Sequence, residues 1–148
     1  MLRPAQWIKN FFVCAPIFFT PTEMSTKNLI VVFLGFLCFS MLSSTIYIIN
    51  DISDRKYDIL HPTKKFRPIA NGTISLRLAV IIGMILFTIS ISCAHAISLI
   101  FFYWCLIYGL LMIVYSYFLK HFSPIDIMVL TIGFVIRVEA GSSIISIQ

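Results

Sequence analysis

Four polar residues that follow a long apolar run are the part of this sequence best suited to do chemistry. They are Asn50, Asp51, Asp54 and Asp58. On a helix continuing from the apolar run, the carboxylates stand at i, i+3 and i+7 and share one face. Carboxylates held together repel one another, and Mg²⁺ relieves this by binding one or two of them together with substrate phosphate oxygens. The spacing therefore predicts a site for a magnesium-complexed diphosphate, with the three aspartates as metal ligands.

A purely structural interpretation of this segment stays open. Arg55 and Lys56 lie between the carboxylates and could pair with them on a solvated helix end. We favour the metal site because Asn50 and Asp51 directly follow an uninterrupted apolar run, which predicts that they lie near the lipid headgroups rather than far out in water.

Basic residues accompany the acidic segment. The loop over residues 61–72 contains two prolines and ends in an Asn-Gly turn signal. Its Lys64 and Arg67 suit phosphate oxygens, lysine as a point charge and arginine through its planar fork. Lys65 is interpreted as a topology signal that also attracts anionic headgroups. Arg137 lies inside a later apolar run, where a cation needs a partner or a polar cavity.

The elements that must position these residues are membrane helices. The chain has 148 residues, of which 59% are hydrophobic and 11% charged, against about 25% charged in soluble domains. A hydrocarbon core about 30 Å thick requires about 20 apolar residues per helix. The predicted fold is an all-α, polytopic transmembrane bundle of about five helices, forming one domain over residues 1–148. Its predicted spans, the first of them short, are 7–20, 28–49, 78–96, 98–119 and 125–147.

Charge placement predicts the orientation of the bundle. With these spans, Lys27 is the only basic residue at one end, and the acidic segment lies at the other. The basic residues at that other end are Arg3, Lys9, Arg55, Lys56, Lys64, Lys65, Arg67, Arg77 and Lys120. Basic loops mark the cytoplasmic side, so we expect the acidic segment at the cytoplasmic face of the inner (plasma) membrane. Nucleic acid is not needed to explain the net charge of +5.

These motifs resemble the UbiA superfamily of intramembrane prenyltransferases, whose first signature is N-D-x-x-D-x-x-x-D after the second membrane helix. The acidic segment matches that signature in full. Neighbouring sequence motifs are most similar to those of the branch that transfers phosphoribose to a polyprenyl phosphate. These motifs are R-P-x-Q-W-x-K-N at 3–10, H-P-T-K at 61–64, R-P-I-A at 67–70, and Y-S and L-K-H within 115–121.

The resemblance implies a reaction and its participants. Magnesium-bound phosphoribosyl diphosphate would lose diphosphate while the phosphate of a polyprenyl lipid attacks the anomeric carbon of the ribose. Asp51, Asp54 and Asp58 would hold Mg²⁺, with Asn50 assisting. A further set would contact phosphate or sugar oxygens, the last of them deeper in the cavity: Lys9, Lys64, Arg67, Tyr115, Lys120 and Arg137.

The resemblance covers about the first half of a family member. Members have about nine transmembrane helices and a second aspartate-rich segment in the later half, so this chain would form half of that fold. The protein partners considered are a complementary C-terminal half or a second copy of the chain in a homo-oligomer. Activity of this chain by itself is not implied.

Other functions stay open. An ordinary UbiA-type enzyme would move a prenyl group from its diphosphate to an aromatic acceptor, using the same aspartates but an apolar tunnel for the donor. A non-catalytic, truncated membrane protein would show no change in divalent-ion binding or lipid products when Asp51 or Asp54 is replaced. A transporter is less favoured, because no pair of broken helices recurs in repeated halves.

Overall fold

The protein is helical throughout the part that the structure, a computed structural model, describes: residues 1–145, without the side chain of His121. The α-helices are α1 (Ala15–Phe19), α2 (Thr26–Ser53), α3 (Arg55–Leu60), α4 (Leu76–Ile97), α5 (Leu99–Tyr117) and α6 (Ile125–Ile145). Short 3₁₀ helices occupy Pro4–Val13, Pro21–Glu23, Lys64–Phe66 and Leu119–His121. No strand occurs within these residues.

Four of the helices are long and apolar enough to cross a membrane. They are α2, α4, α5 and α6, with mean hydropathies between 2.3 and 1.7. The predicted all-α, transmembrane fold class is confirmed. The spans predicted over 28–49, 78–96 and 98–119 fall almost entirely on α2, α4 and α5. The last span, predicted over 125–147, coincides with α6 up to Ile145, and its final two residues lie outside the described part.

The first predicted span, over residues 7–20, has a different local structure. It forms the 3₁₀ helix Pro4–Val13 followed by α1, not one span-length helix. Pro16 stands in the first turn of α1, where its missing N–H would have no helical partner in any case. The segment buries Asn10, Val13 and Ile17, so it packs into the bundle through one side.

Serine residues form the N-caps of three of the long helices. Ser25 Oγ accepts a hydrogen bond from the Asn28 N–H at 3.2 Å, and Ser75 Oγ accepts one from Leu78 at 3.3 Å. Ser98 Oγ accepts from the first turn of α5. Each serine satisfies a backbone donor that lacks an intrahelical partner. Since α4 ends at Ile97 and α5 begins at Leu99, Ser98 is the whole connection between them.

The centre of the bundle is α2. In the most apolar stretch of α2, 61% of the residues are buried inside the protein. The corresponding share for α4, which lies at the outside of the bundle, is 17%. The Phe39 ring lies 5.8 Å from that of Phe101 and 5.2 Å from that of Tyr108, centroid to centroid, and joins α2 to α5. Arg67 of the loop before α4 contacts Asp51 near the end of α2, and Lys120, which follows α5, contacts Asp54. The ends of α2 and α5 and the beginnings of α4 and α6 therefore meet at one end of the bundle.

Candidate active site

The acidic segment lies where α2 passes into α3. Asp54 separates the two helices, but its N–H still donates to the Asn50 carbonyl at 2.9 Å, so helical hydrogen bonding continues across the break. Asp51 and Asp58 are buried, with 1% and 2% of their surfaces exposed, whereas Asp54 is partly exposed. The segment therefore turns two carboxylates inward and one towards a cavity.

Cationic groups surround the buried carboxylate of Asp51. Its Oδ1 accepts a hydrogen bond from Arg3 Nη2 and lies 3.4 Å from Arg67 Nη1. The ammonium group of Met1 is 3.8 Å from Oδ2. Charge pairing of this kind is what allows a carboxylate to be buried.

The other two carboxylates are also paired. Asp58 Oδ2 accepts from Arg67 Nη1 at 2.7 Å, so Arg67 bridges Asp51 and Asp58. Asp54 Oδ1 accepts from Lys120 Nζ, and its Oδ2 accepts from Asn50 Nδ2 at 3.0 Å. Lys120 follows α5, and thus the end of that helix is tied to the acidic segment.

The loop between α3 and α4 holds Arg67 in place. Arg55 Nε donates to the Ile69 carbonyl at 3.3 Å, and the buried Ile69 packs in a small cluster that includes Ile48. Gly72 has φ 80°, a left-handed conformation that glycine adopts without a steric cost. These contacts fix the loop against α2, so Lys64 and Arg67 are presented to the cavity next to the acidic segment.

A cavity of about 400 Å³ opens at this end of the bundle. Among the described residues, six cationic side chains and one carboxylate line it, which makes it a strongly attractive site for an anion. The cations are Arg3, Lys9, Lys64, Arg67, Lys120 and Arg137. The carboxylate is that of Asp54, and the hydroxyl-bearing rings of Tyr47, Tyr108 and Tyr115 also line the cavity.

Arg137 lies at the buried side of this cavity, with 7% of its surface exposed. Its Nε donates to Asn10 Oδ1 at 3.0 Å, its Nη1 to the Gly133 carbonyl at 2.7 Å and its Nη2 to the Tyr108 hydroxyl at 2.8 Å. The guanidinium also stacks on the Tyr108 ring, 4.7 Å from its centroid. The expectation that this intramembrane cation faces a polar interior agrees with these contacts.

Eight of the ten site residues predicted from the sequence line the cavity; Asp51 and Asp58 do not. Sequence reasoning missed Arg3, Tyr47 and Tyr108 as site residues. Arg3 belongs to the R-P-x-Q-W-x-K-N motif, and Tyr47 precedes Asp51 by one helical turn, so the sequence offered a signal for both as site residues. Tyr108 lies in a continuous apolar run that offers no comparable signal.

The structure is compatible with Mg²⁺ binding by one or two carboxylates, which is fewer than the three predicted. Within the described residues, no group of three or more His, Cys, Asp or Glu side chains is arranged to hold a metal ion. Asp51 Oδ2, however, is buried without a hydrogen-bond partner in residues 1–145, and Asp54 reaches the cavity. One or two carboxylates suffice for Mg²⁺ when a substrate supplies phosphate oxygens. That all three aspartates bind the metal stays a prediction.

Comparison with known proteins agrees with this arrangement. The model of the UbiA prenyltransferase family matches residues 10–148. The chain belongs to the UbiA prenyltransferase family. The family resemblance inferred from the motifs is thereby confirmed.

Individual UbiA family relatives are similar along nearly the whole chain. Decaprenyl-phosphate phosphoribosyltransferase from Mycobacterium tuberculosis is 31% identical, over 95% of this chain and 48% of the relative. The enzyme of the same name from Corynebacterium glutamicum is 34% identical, over 95% and 43%. This chain thus spans about half the length of the curated relatives it matches. A solved UbiA homolog from Archaeoglobus fulgidus, bound to DMAPP and Mg²⁺, superposes with a TM-score of 0.84 at 26% identity, covering 100% of this chain and 54% of that one.

Proposed function

We propose that this chain carries the donor-binding part of a magnesium-dependent transferase, which moves 5-phosphoribose from phosphoribosyl diphosphate to a polyprenyl phosphate. The observation that carries the proposal is the cavity lined by six cations beside the acidic segment. Both substrates are phosphates, and the donor carries three phosphate groups. The similarity to two decaprenyl-phosphate phosphoribosyltransferases supports this choice of substrates.

Asp51 and Asp54 are the residues that would hold Mg²⁺ against the donor diphosphate. When bound, the metal would stabilise the negative charge that develops on the departing diphosphate. Asp58 has a different role: its Oδ2 accepts from Arg67 Nη1 at 2.7 Å, whereas Asp51 keeps a buried oxygen without a hydrogen-bond partner in residues 1–145. We assign it as a positioning residue that keeps the Arg67 guanidinium at the cavity wall.

Lys64, Arg67 and Lys120 bind phosphate oxygens of the donor. All three line the cavity beside Asp54, and a charge-assisted hydrogen bond is about twice as strong as a neutral one. The Tyr115 hydroxyl is placed to bond a sugar or phosphate oxygen, and Lys9 adds positive charge at the exposed side. No side-chain nucleophile is needed, since the phosphate of the lipid acceptor is already anionic.

Arg137 is the residue best placed for an anionic group at the buried side. Three of its N–H groups bond Asn10, Gly133 and Tyr108. A guanidinium has further N–H donors, and these remain available to the cavity. We assign them to the acceptor phosphate, so that donor and acceptor meet inside one cavity.

Prenyl transfer to an aromatic acceptor is the second candidate. Its support is the close superposition on the A. fulgidus homolog bound to the prenyl diphosphate DMAPP and Mg²⁺. Met112, Leu130 and Phe134 also give the cavity an apolar wall. The two functions differ in the donor that the same cations and carboxylates would bind.

The test is transfer of radiolabelled ribose from phosphoribosyl diphosphate to polyprenyl phosphate in membranes that contain this chain, alone or extended by the C-terminal half of a UbiA family relative. We expect magnesium-dependent labelled lipid that is lost in Asp54→Asn and retained in Lys65→Ala, whose side chain lies outside the cavity. Labelled product from DMAPP but none from phosphoribosyl diphosphate would establish the second candidate. No product from either donor would contradict both.

We further propose that the cavity opens at the cytoplasmic face of the inner membrane. The bundle end that holds the cavity also carries most of the basic residues outside the long helices, and such residues are retained on the cytoplasmic side.

A further inference from the structure

Two cations of the cavity are bonded to the carboxylates that would bind metal. Arg3 donates to Asp51 Oδ1, and Lys120 donates to Asp54 Oδ1. A cationic side chain bonded to a carboxylate oxygen occupies space beside that oxygen and repels an approaching Mg²⁺, although the oxygen keeps a further lone pair. The two cations and the metal therefore compete for the same oxygens.

Arg3 also controls access to Asp51. The Arg3 and Arg67 side chains are 28% and 24% exposed and line the cavity, whereas the Asp51 side chain is 1% exposed and does not. The two guanidinium groups thus separate Asp51 from the cavity. Asp51 Oδ2 is buried and accepts no hydrogen bond from any described residue, and the Met1 ammonium lies 3.8 Å from it. Arg67 is also held by Asp58 at 2.7 Å, which leaves Arg3 as the guanidinium whose displacement would open Asp51 to a metal ion coming from the cavity.

The backbone on both sides of Arg3 is anchored, so a change of partner would involve only its side chain. Ser44 Oγ on α2 accepts from Trp7 Nε1 at 3.0 Å and shares its proton between the Ser40 carbonyl at 2.8 Å and the Leu2 carbonyl at 3.0 Å, so the chain is anchored on both sides of Arg3. Arg3 itself has φ 50° and ψ 59°, a left-handed conformation that a residue with a side chain keeps only when its surroundings hold it. Its guanidinium rests on the Tyr47 ring, 4.9 Å from the centroid.

We propose that Arg3 and Lys120 are exchange residues: each neutralises a carboxylate of the acidic segment until Mg²⁺ takes that carboxylate, and then binds a phosphate oxygen of the diphosphate. No covalent bond changes in this exchange. The proposal rests on the proposed function, because it concerns how the same site takes up its magnesium diphosphate.

The exchange makes metal and diphosphate depend on each other. Mg²⁺ alone would leave Arg3 and Lys120 without counterions in a cavity that holds four other cations. Diphosphate alone would find these two side chains already paired with Asp51 and Asp54. The two ligands together give Asp51, Asp54, Arg3 and Lys120 each a partner of opposite charge, so the site would select the metal complex over either component.

The decisive test measures the two ligands separately on the purified full chain in detergent. Mn²⁺ serves as the metal probe, with free Mn²⁺ followed by electron paramagnetic resonance, and radiolabelled inorganic diphosphate serves as the phosphate probe in equilibrium dialysis. We expect Arg3→Met and Lys120→Met to bind Mn²⁺ alone about tenfold more tightly or better, since one competing charge is removed. We expect the same variants to bind diphosphate about tenfold more weakly.

Two controls separate exchange from general damage. Lys120→Arg keeps the charge and is expected to leave Mn²⁺ binding close to that of the wild type. Lys65→Met removes a charge outside the cavity and is expected to change neither affinity.

Opposite signs for the two ligands are the signature of exchange. Weakened or unchanged Mn²⁺ binding in both Met variants would overturn the inference, and the proposed function would survive if the wild type still bound both ligands. A folded wild-type protein that bound neither Mn²⁺ nor diphosphate would overturn the donor site together with this inference.

Discussion

Arg137, near the middle of α6, donates from Nε to the side-chain oxygen of Asn10 at 3.0 Å, across 127 positions of sequence. Asn10 is itself 1% exposed and donates from Nδ2 to Ser40 and Ser43 of α2 at 3.2 and 3.0 Å. One polar network thus joins the N-terminal 3₁₀ helix, α2 and α6. Where water is excluded, such a network must be satisfied internally. It explains how a short N-terminal segment stays docked inside the bundle.

Replacing Arg137 is expected to destabilise the protein as well as weaken acceptor binding. Arg137→Met leaves Asn10 Oδ1 and the Tyr108 hydroxyl without their donor, at a cost of about 3 kcal/mol. Arg137→Lys should not restore stability, because an ammonium group cannot reproduce the planar fork that serves three acceptors. Thermal unfolding in detergent measures the effect, with Arg77→Met, exposed at the start of α4, as the control. Equal melting temperatures for the two Met variants would contradict the structural role.

Gly141 is expected to tolerate no side chain. A Cβ at this position would lie 2.0 Å from the Val13 carbonyl oxygen, because α6 and the N-terminal segment touch there through their backbones. Gly141→Ala should therefore displace the N-terminal segment and lower the melting temperature. Gly109→Ala is the matched control, since its Cβ would meet only Leu42 at 3.8 Å. There the better helix propensity of alanine, about 1 kcal/mol, should leave stability unchanged or raised. A Gly141→Ala protein as stable as Gly109→Ala would refute the close contact.

The long helices were accessible to prediction because each apolar run is about the thickness of a bilayer. The first segment was harder: its residues are as apolar as a span, but it folds as a 3₁₀ helix and a short α-helix whose packing depends on α2 and α6. The composition of the segment does not contain information about these contacts with distant helices.

The site was predictable in its residue types and not in its pairings. Spacing placed the three carboxylates on one face, but helix rotation decides that Asp54 lines the cavity while Asp51 and Asp58 turn away from it. The partner of each carboxylate is set by how distant segments meet. Arg3 and Lys120 lie 48 and 66 positions from the aspartates that they contact, and no local pattern encodes those distances.

Asp54 and Asp58 should differ in their contributions to donor binding. Asp54→Asn is expected to reduce transfer by about a hundredfold or more, since Asp54 faces the cavity where charge develops. Asp58→Asn is expected to raise the KM for the donor about tenfold with little change in kcat, because it acts through Arg67. Initial rates in membranes containing the extended chain separate the two constants.

A double-mutant cycle tests the route through Arg67. If Asp58 serves only to position Arg67, adding Asp58→Asn to Arg67→Ala should cause little further loss. Fully additive effects of the two substitutions on KM would show that Asp58 acts independently of Arg67.

The orientation of the bundle can be tested at two exposed lysines. Lys27 lies at the start of α2, and Lys56 lies in α3 beside the acidic segment, so the membrane should separate them. Single-cysteine variants are made after replacement of Cys14, Cys38, Cys93 and Cys105. A membrane-impermeant maleimide applied to spheroplasts should label Lys27→Cys at once and Lys56→Cys only after permeabilisation, because basic segments are retained on the cytoplasmic side. The reverse pattern would place the cavity outside the cytoplasm, and substrates delivered from the cytoplasm could then not reach it directly.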